Sequence, residues 1–308
     1  MIYWPNLNLR NPRPRMVYAT SPLRYPGGKS CLLDLTATIL RMNRLERGHY
    51  AEPFAGGCGL ALSLLYGGHV ADIHINDIDP SIWAFWHCVL NTTNELIEKI
   101  KSTPVTVEEW RKQRNIHQNA LSHSILDRGF SAFFLNRTNR SGIISGAGVI
   151  GGLSQNGTYK IDCRYNKDNL TKRILRISKY KDRIHLTNMD AQDFLKVSSK
   201  SLNGNILFCI DPPYFKKGAD LYTSFYNYAD HCGLSGDVLA LEKPWIVTYD
   251  NASEIQELYS ARRQYLFDIN YSVQTKRIGT ELLIASKGLR LPEELTLRLI
   301  NRPRNQAA

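Results

Sequence analysis

Asp211-Pro212-Pro213-Tyr214 follows directly on the apolar run Ile206-Leu207-Phe208-Cys209-Ile210. Two consecutive prolines fix the backbone and withdraw two N–H donors, which leaves carbonyl oxygens free to accept. Asp211 adds a carboxylate acceptor and Tyr214 an aromatic face. Acceptors beside a π-face suit a planar ring with an exocyclic amino group, such as adenine, so Asp211, Pro212, Pro213 and Tyr214 are the candidate catalytic residues. Asp-Pro and Pro-Pro are also common turn dipeptides, and the tetrad alone fits the plain end of a strand equally well.

Two glycine-rich turns accompany it. Glu52-Pro53-Phe54-Ala55-Gly56-Gly57-Cys58-Gly59 reads as strand, turn and helix, and glycines let a ligand approach the backbone closely. Asp77 follows at the end of the next strand, where a carboxylate can accept both hydroxyls of a ribose. The spacing is not G-x-G-x-x-G, so a nucleoside without a pyrophosphate fits better than a dinucleotide. A bare strand-to-helix turn, with Asp77 capping the helix near Pro80, explains the same residues. The other turn, Arg24-Tyr25-Pro26-Gly27-Gly28-Lys29-Ser30, opens a helix whose N-terminus attracts anions. It is too short for a Walker A loop and suits a carboxylate better than a triphosphate, unless Lys29 is merely an exposed lysine at a helix start.

These motifs need a scaffold that brings strand ends together. Helical spacing of Leu32, Leu35, Ile39 and Leu40 predicts a helix within 30–45. A strand over Tyr50–Phe54, a helix over Leu60–Leu65, a strand over Val70–Asn76 and a helix over Ser81–Leu90 follow. Strand and helix resume with Ile184–Thr187, Asp190–Leu195, Ile206–Ile210, Trp245–Tyr249, Tyr265–Ile269 and Leu282–Ala285. Short apolar runs predict buried, mainly parallel strands. The expected architecture is a doubly wound, Rossmann-like α/β domain made of residues 1–90 and 176–308, interrupted by an inserted, mainly helical and loop segment over 91–175.

Charge marks the insertion. The chain of 308 residues carries a net charge of +11, and residues 101–185 alone carry 16 basic against 6 acidic side chains. Total charge could reflect solubility, but such local excess favours a polyanionic partner. Trp110, Arg111, Lys112, Arg114, Arg137, Arg140, Arg164, Lys167, Lys172 and Arg173 form an intermittent basic track, with Tyr159 and Tyr165 nearby. Residues 141–157 hold six glycines, the composition of a mobile or ligand-ordered loop. The six cysteines are scattered without a C-x-x-C pair, so neither a zinc site nor a disulfide framework is expected. No apolar run approaches the ~18 residues of a membrane span, and the N-terminus lacks the apolar core of a secretory signal.

The ordered set of motifs resembles the Dam-type DNA adenine methyltransferase family. Tyr25 to Lys29 is similar to its aromatic-x-Gly-Gly-Lys segment. Pro53, Phe54, Gly56 or Gly57, and Gly59 are similar to Pro-Phe-x-Gly-x-Gly, and Asn76–Asp79 to Asn-Asp-Ile-Asn, with Asp79 in place of the usual Asn. Phe134-Leu135-Asn136-Arg137 resembles the Leu-Asn-Arg segment of the target-recognition domain. Asp190 resembles the acidic residue near the cofactor adenine. Leu221–Phe225 with Asp230-His231, and Glu281–Ile284, resemble later segments of the family.

The resemblance implies a site-specific enzyme that moves a methyl group from S-adenosyl-L-methionine (AdoMet) to the N6 amino group of an adenine flipped out of double-stranded DNA, leaving S-adenosylhomocysteine (AdoHcy) and needing no metal. It implies that Tyr25, Lys29, Asp77 and Asp211 contact AdoMet, with Phe54, Gly56 and Gly57 shaping the pocket and Asp190 beside the adenine. Asn136, Arg137, Asn139 and Arg140 are the candidate DNA-contacting residues. A cytoplasmic, nucleoid-associated monomer of bacterial or phage origin is expected. Methylation of cytosine N4, of RNA or of protein glutamine, and a catalytically silent DNA-binding relic of the fold, remain alternatives.

Overall fold

The computed structural model describes residues 20–24, 28–216, 226–271, 277–292 and 298–301. Eight strands form one sheet: β1 (His49–Glu52), β2 (Asp72–Asn76), β3 (Ile184–Thr187), β4 (Ile206–Ile210), β5 (Trp245–Asp250), β6 (Arg263–Tyr271), β7 (Arg277–Ala285) and β8 (Arg298–Asn301), in the order β3-β2-β1-β4-β5-β7-β6-β8. β1 to β5 run parallel. β7 is antiparallel to β5 and β6, and β6 to β8. The expectation of a mainly parallel sheet therefore holds for the first five strands and not for the last three. An apolar run signals burial on both faces but carries no information about direction.

Alternation along the central strands divides the interior. Tyr50, Leu207, Cys209 and Ile246 belong to one apolar cluster, while Ala51, Ile206, Phe208, Ile210, Trp245, Val247 and Tyr249 belong to another. Period-two side chains thus feed a core on each face of the sheet. α8 (Ala191–Ser201), α9 (Tyr228–Ala240) and α10 (Ser253–Leu258) close the second core with Phe194, Leu195, Leu234, Val238 and Ile255. The first is closed by α1 (Leu33–Met42), α2 (Gly59–Tyr66) and α3 (Pro80–Asn91). The fold is a Rossmann-like α/β sheet with helices on both faces.

Between β2 and β3, after α3, come α4 (Thr93–Ser102), α5 (Val107–Gln118), α6 (Ile125–Thr138) and α7 (Lys167–Ser178). These helices start where side chains cap them: Thr106 accepts from Glu109 N–H, Ser124 from Asp127 N–H and Asn166 from Asn169 N–H. Their apolar faces join the first core through Leu96, Ile100, Trp110, Phe130, Phe133, Phe134, Leu170 and Ile174. α6 packs directly on α3: the rings of Phe85 and Phe133 stack with centroids 5.6 Å apart. A Cβ at Gly129 would stand 2.7 Å from the Ala84 carbonyl oxygen, so only glycine permits that approach. The expected segment boundaries fall at the end of α3 and inside α7.

The glycine-rich loop after α6 is anchored. Val149 is 2% exposed, Gly148 and Ile150 bond back to Arg140 and Thr138, and the Gln155 amide joins Ile150 O to Ile161 N–H. Among the described residues no helix is long and apolar enough to cross a membrane.

Candidate active site

Parallel strands end on one edge of the sheet, and the order β3-β2-β1-β4-β5 reverses direction between β1 and β4. In doubly wound sheets the ligand crevice lies beyond the carboxyl ends at such a reversal. Pro53-Phe54 follows β1, Asp77 follows β2, Asp190 lies three residues past β3, and Asp211 follows β4. The candidate residues thus collect on one edge from segments far apart in the chain.

Asp77 is 8% exposed and holds the turn after β1: its Oδ2 accepts from Gly56 N–H at 2.8 Å and its Oδ1 from Asp79 N–H at 3.0 Å. Burial first, then the charge of Asp79, raises its carboxyl to about 7, against the pull of those two N–H donors. A carboxylate has about four acceptor positions, so two remain for hydroxyl donors. The Trp86 indole N–H bonds Gly56 O at 2.9 Å and fixes the same turn from α3. Asp79 is the N-cap of α3, accepting from Ser81 and Ile82 N–H, with Pro80 at the first helical position. Asn76, fully buried, ties three strand ends together: its amide donates to Pro53 O and Met189 O and accepts from Thr187 Oγ1. Asp190 caps α8 by accepting from Gln192 N–H at 2.8 Å. The Phe54 ring stands edge-on to Tyr226, centroids 5.8 Å apart.

The tetrad is bound to the N-terminal segment. Lys29, 6% exposed, sends its ammonium to Asp211 Oδ1 at 2.8 Å, to Glu281 Oε2 at 3.4 Å and to the Tyr214 hydroxyl at 3.3 Å. Tyr214 donates its hydroxyl to Glu281 Oε1, and Thr248 Oγ1 donates to Asp211 Oδ1 at 2.7 Å. Asp250, at the end of β5, accepts from Phe215 and Lys216 N–H and so holds the chain leaving the tetrad. Glu52 is buried, accepts from Tyr50 O–H, and is pushed by burial up to about 8. Tyr25 lies outside the described residues, as does the segment 221–225.

Glu281, Thr248, Asp250, Glu52 and Asn76 carry much of this geometry without having been candidates for it. Glu281 sits in the Glu-Leu-Leu-Ile segment of the family resemblance, a signal that located the strand but not the partner.

The candidate DNA-contacting residues divide. Asn136 is fully buried: Arg24 N–H donates to its Oδ1 at 2.7 Å, and its Nδ2 donates to Arg24 O and Gly142 O. Asn139, 1% exposed, takes the Trp110 indole N–H at 2.7 Å and donates to Ile143 O and Ile144 O. Both amides, expected to contact DNA, are here committed to hydrogen bonds within the chain itself. Arg137 donates from Nε and Nη2 to Arg164 O. Arg140 is exposed and, with Trp110, Arg111, Arg114, Asn115 and Leu153, lines an open recess of about 510 Å³.

Five parallel strands, extended by the antiparallel β7, β6 and β8, place the tetrad at the switch point of a Rossmann-like α/β sheet. Residues 25–276 match the family model of D12 class N6 adenine-specific DNA methyltransferases, and the chain belongs to that family. Sequence comparison with curated proteins yields no match. Among solved structures, a candidate RNA methyltransferase, PH1948 from Pyrococcus horikoshii, aligns at 9% identity and a TM-score of 0.39, covering 85% of this chain and 84% of that one.

Proposed function

We propose that this protein transfers the methyl group of AdoMet to the N6 amino group of an adenine swung out of duplex DNA. The reading rests above all on one observation: Asp211 ends β4 while Asp77 and the Gly56 turn end β2 and β1, on the two sides of the strand reversal. A donor and an acceptor ring bound at these ends would meet across one crevice.

AdoMet, when bound, supplies an electrophilic methyl carbon on a sulfonium sulfur. Asp77 fits the nucleoside end of such a ligand, since it is a buried carboxylate with two acceptor positions left after the Gly56 and Asp79 N–H groups. Gly56, Gly57 and Phe54 would line that end, Asp190 would face its adenine, and Tyr25 and Lys29 would hold the other end.

The adenine amino group is a poor nucleophile because its lone pair is spread into the ring. Hydrogen bonds to Asp211 and the Pro212 carbonyl draw its protons and localise that pair on N6. N6 would take that methyl carbon as the C–S bonding pair stays on sulfur, and the proton N6 loses would pass by way of the Asp211 carboxylate to water. Tyr214, held by its hydroxyl on Glu281, offers a ring of fixed plane for the base to stack on. Positioning and charge placement would supply most of the acceleration. Residues 91–175 would carry the target-recognition role, with the exposed Arg111, Arg114 and Arg140 facing the duplex.

Incubation with methyl-labelled AdoMet and plasmid DNA, followed by digestion to nucleosides, tests the proposal. Label in N6-methyladenosine deoxynucleoside is the expected result. Label in N4-methylcytosine deoxynucleoside, or none at all, would overturn it.

A further inference from the structure

Four arginines converge where the segment before the Lys29 turn crosses α6 and α7. Arg24 is fixed there by the paired hydrogen bonds of its N–H and C=O with the Asn136 amide. Gly142 presses on the same peptide: at φ +80 its added Cβ would lie 2.6 Å from Arg24 O. Arg173 reaches over from α7 and donates Nη1 to Ser21 O at 2.9 Å. Arg137, at the end of α6, donates to Arg164 O.

Every one of these bonds ends on a carbonyl or amide oxygen. Among the described residues none of the four guanidiniums pairs with a carboxylate. Arg24 Nη1 is closed to solvent and has no hydrogen-bond partner among the described residues. Burial first, then the charges of Arg24, Arg173 and Arg164, depresses Arg137 to about 9, which leaves it protonated at neutral pH. Burial first, then Arg164, lowers Arg24 as well. Four like charges in a partly dry setting repel one another strongly, and an anion among them removes that cost.

We propose that Arg24, Arg137, Arg164 and Arg173 form a seat for one backbone phosphate of the DNA, apart from the crevice of methyl transfer. The proposal rests on the DNA reading given above. The guanidinium fork matches phosphate oxygens two at a time, which lysine cannot do. Arg164 is exposed and marks the open side, while Arg24, Arg137 and Arg173 are half-buried behind it. Lys29 lies only five residues after Arg24, so the seat abuts the start of the segment that reaches the tetrad.

The test uses duplexes of one sequence in which a single phosphate at a time is replaced by a neutral methylphosphonate. Binding is measured by anisotropy for the wild-type chain and for Arg164→Gln, Arg164→Lys and Arg173→Gln. Wild type should lose roughly tenfold in affinity at one position. The Gln variants should bind the unmodified duplex that much more weakly, lose nothing further at that position, and show a log–log salt slope shallower by about 1. Arg164→Lys should recover part of the affinity. Gln variants that bind like wild type, or that lose equally at every modified position, would overturn the phosphate seat while leaving DNA methylation intact. Weaker AdoHcy binding by Arg164→Gln without DNA would assign the cluster to the cofactor and also overturn it. A wild-type chain that binds no duplex would instead bring down the DNA reading, and this proposal with it.

Discussion

Lys29 and Asp211, 182 positions apart in the chain, form an ion pair of 2.8 Å at the carboxyl edge of the sheet, the ammonium buried and the carboxylate partly exposed. Glu281 reaches the same ammonium from β7, so Lys29 stands between two carboxyl groups. Replacing Lys29 by Met leaves both carboxylates without their cation, and breaking a buried pair typically costs about 3–5 kcal/mol. Urea unfolding should show that loss for Lys29→Met. An unchanged midpoint would mean that the ion pair contributes nothing to the fold.

Asp211→Asn keeps the size of the side chain and removes its charge. Methyl transfer to DNA should fall on the order of 10²–10³-fold, the usual cost of removing one preorganised electrostatic contact. Near-normal label incorporation by a folded Asp211→Asn would remove Asp211 from the chemistry.

Asp77 gives a pH signature. Its carboxyl is raised to about 7, chiefly by burial, so its contribution to stability is full below the ordinary carboxylate range and lost as pH rises through about 7. A ligand that donates hydroxyls to it favours the charged form. AdoHcy affinity, followed by calorimetry, should therefore rise as pH climbs through about 7. Asp77→Asn should bind more weakly and lose most of that dependence. A pH-independent wild type would contradict the ribose assignment.

At the opposite ends of the strands His49, His74 and His185 lie side by side on β1, β2 and β3. His74 Nε2 and His49 Nδ1 are 3.1 Å apart, and the His74 and His185 rings stack at 4.5 Å. Burial, then His185 and His49, lowers His74 to about 4, against the pull of Asp72. A depressed histidine leaves the fold fully stable above its ordinary value and destabilises it as pH falls from about 6.5 towards about 4. Denaturation midpoints measured across that window should drop, and His74→Gln should flatten the drop.

Asn136→Ala separates two roles that a basic neighbourhood invites one to merge. It removes three buried hydrogen bonds, so it should destabilise the fold by about 1–3 kcal/mol. Once corrected for unfolded chain, its DNA affinity should fall mainly through the loosened Arg24, reproducing the shallower salt slope of the arginine variants. Altered sequence preference in methylation maps would return Asn136 to base reading.

The edge strands and the recognition segment show where sequence stops informing. β4 coincides with the apolar run at 206–210, because a strand buried along its whole length has no polar alternation to blur its ends, whereas β3, at 184–187 as expected, is a partly exposed edge strand. Asp211 to Tyr214 and Asp77 were legible because strand-end motifs carry their position with them. Glu281 was not legible as a partner of Lys29, since nothing local in Glu-Leu-Leu-Ile records which distant ammonium it meets. Asn136, Asn139, Trp110 and Tyr165 read as a nucleic-acid surface from their composition and neighbours, yet all four are buried. Amide and indole groups satisfy backbone carbonyls as readily as base edges, and only packing decides between them.

The stacking of Phe133 on Phe85, with Gly129 against the Ala84 carbonyl, bears on how such a protein could acquire a new target sequence. Transplanting residues 91–175 as a cassette into another scaffold would cut Phe130, Phe133, Phe134, Leu170 and Ile174 out of the core they share with α3, and a chimera built that way would lose packing along with its reader. New recognition is reachable instead by changing the exposed arginines and the loop that α5 and α6 present, while Gly129 and the buried aromatics stay as they are.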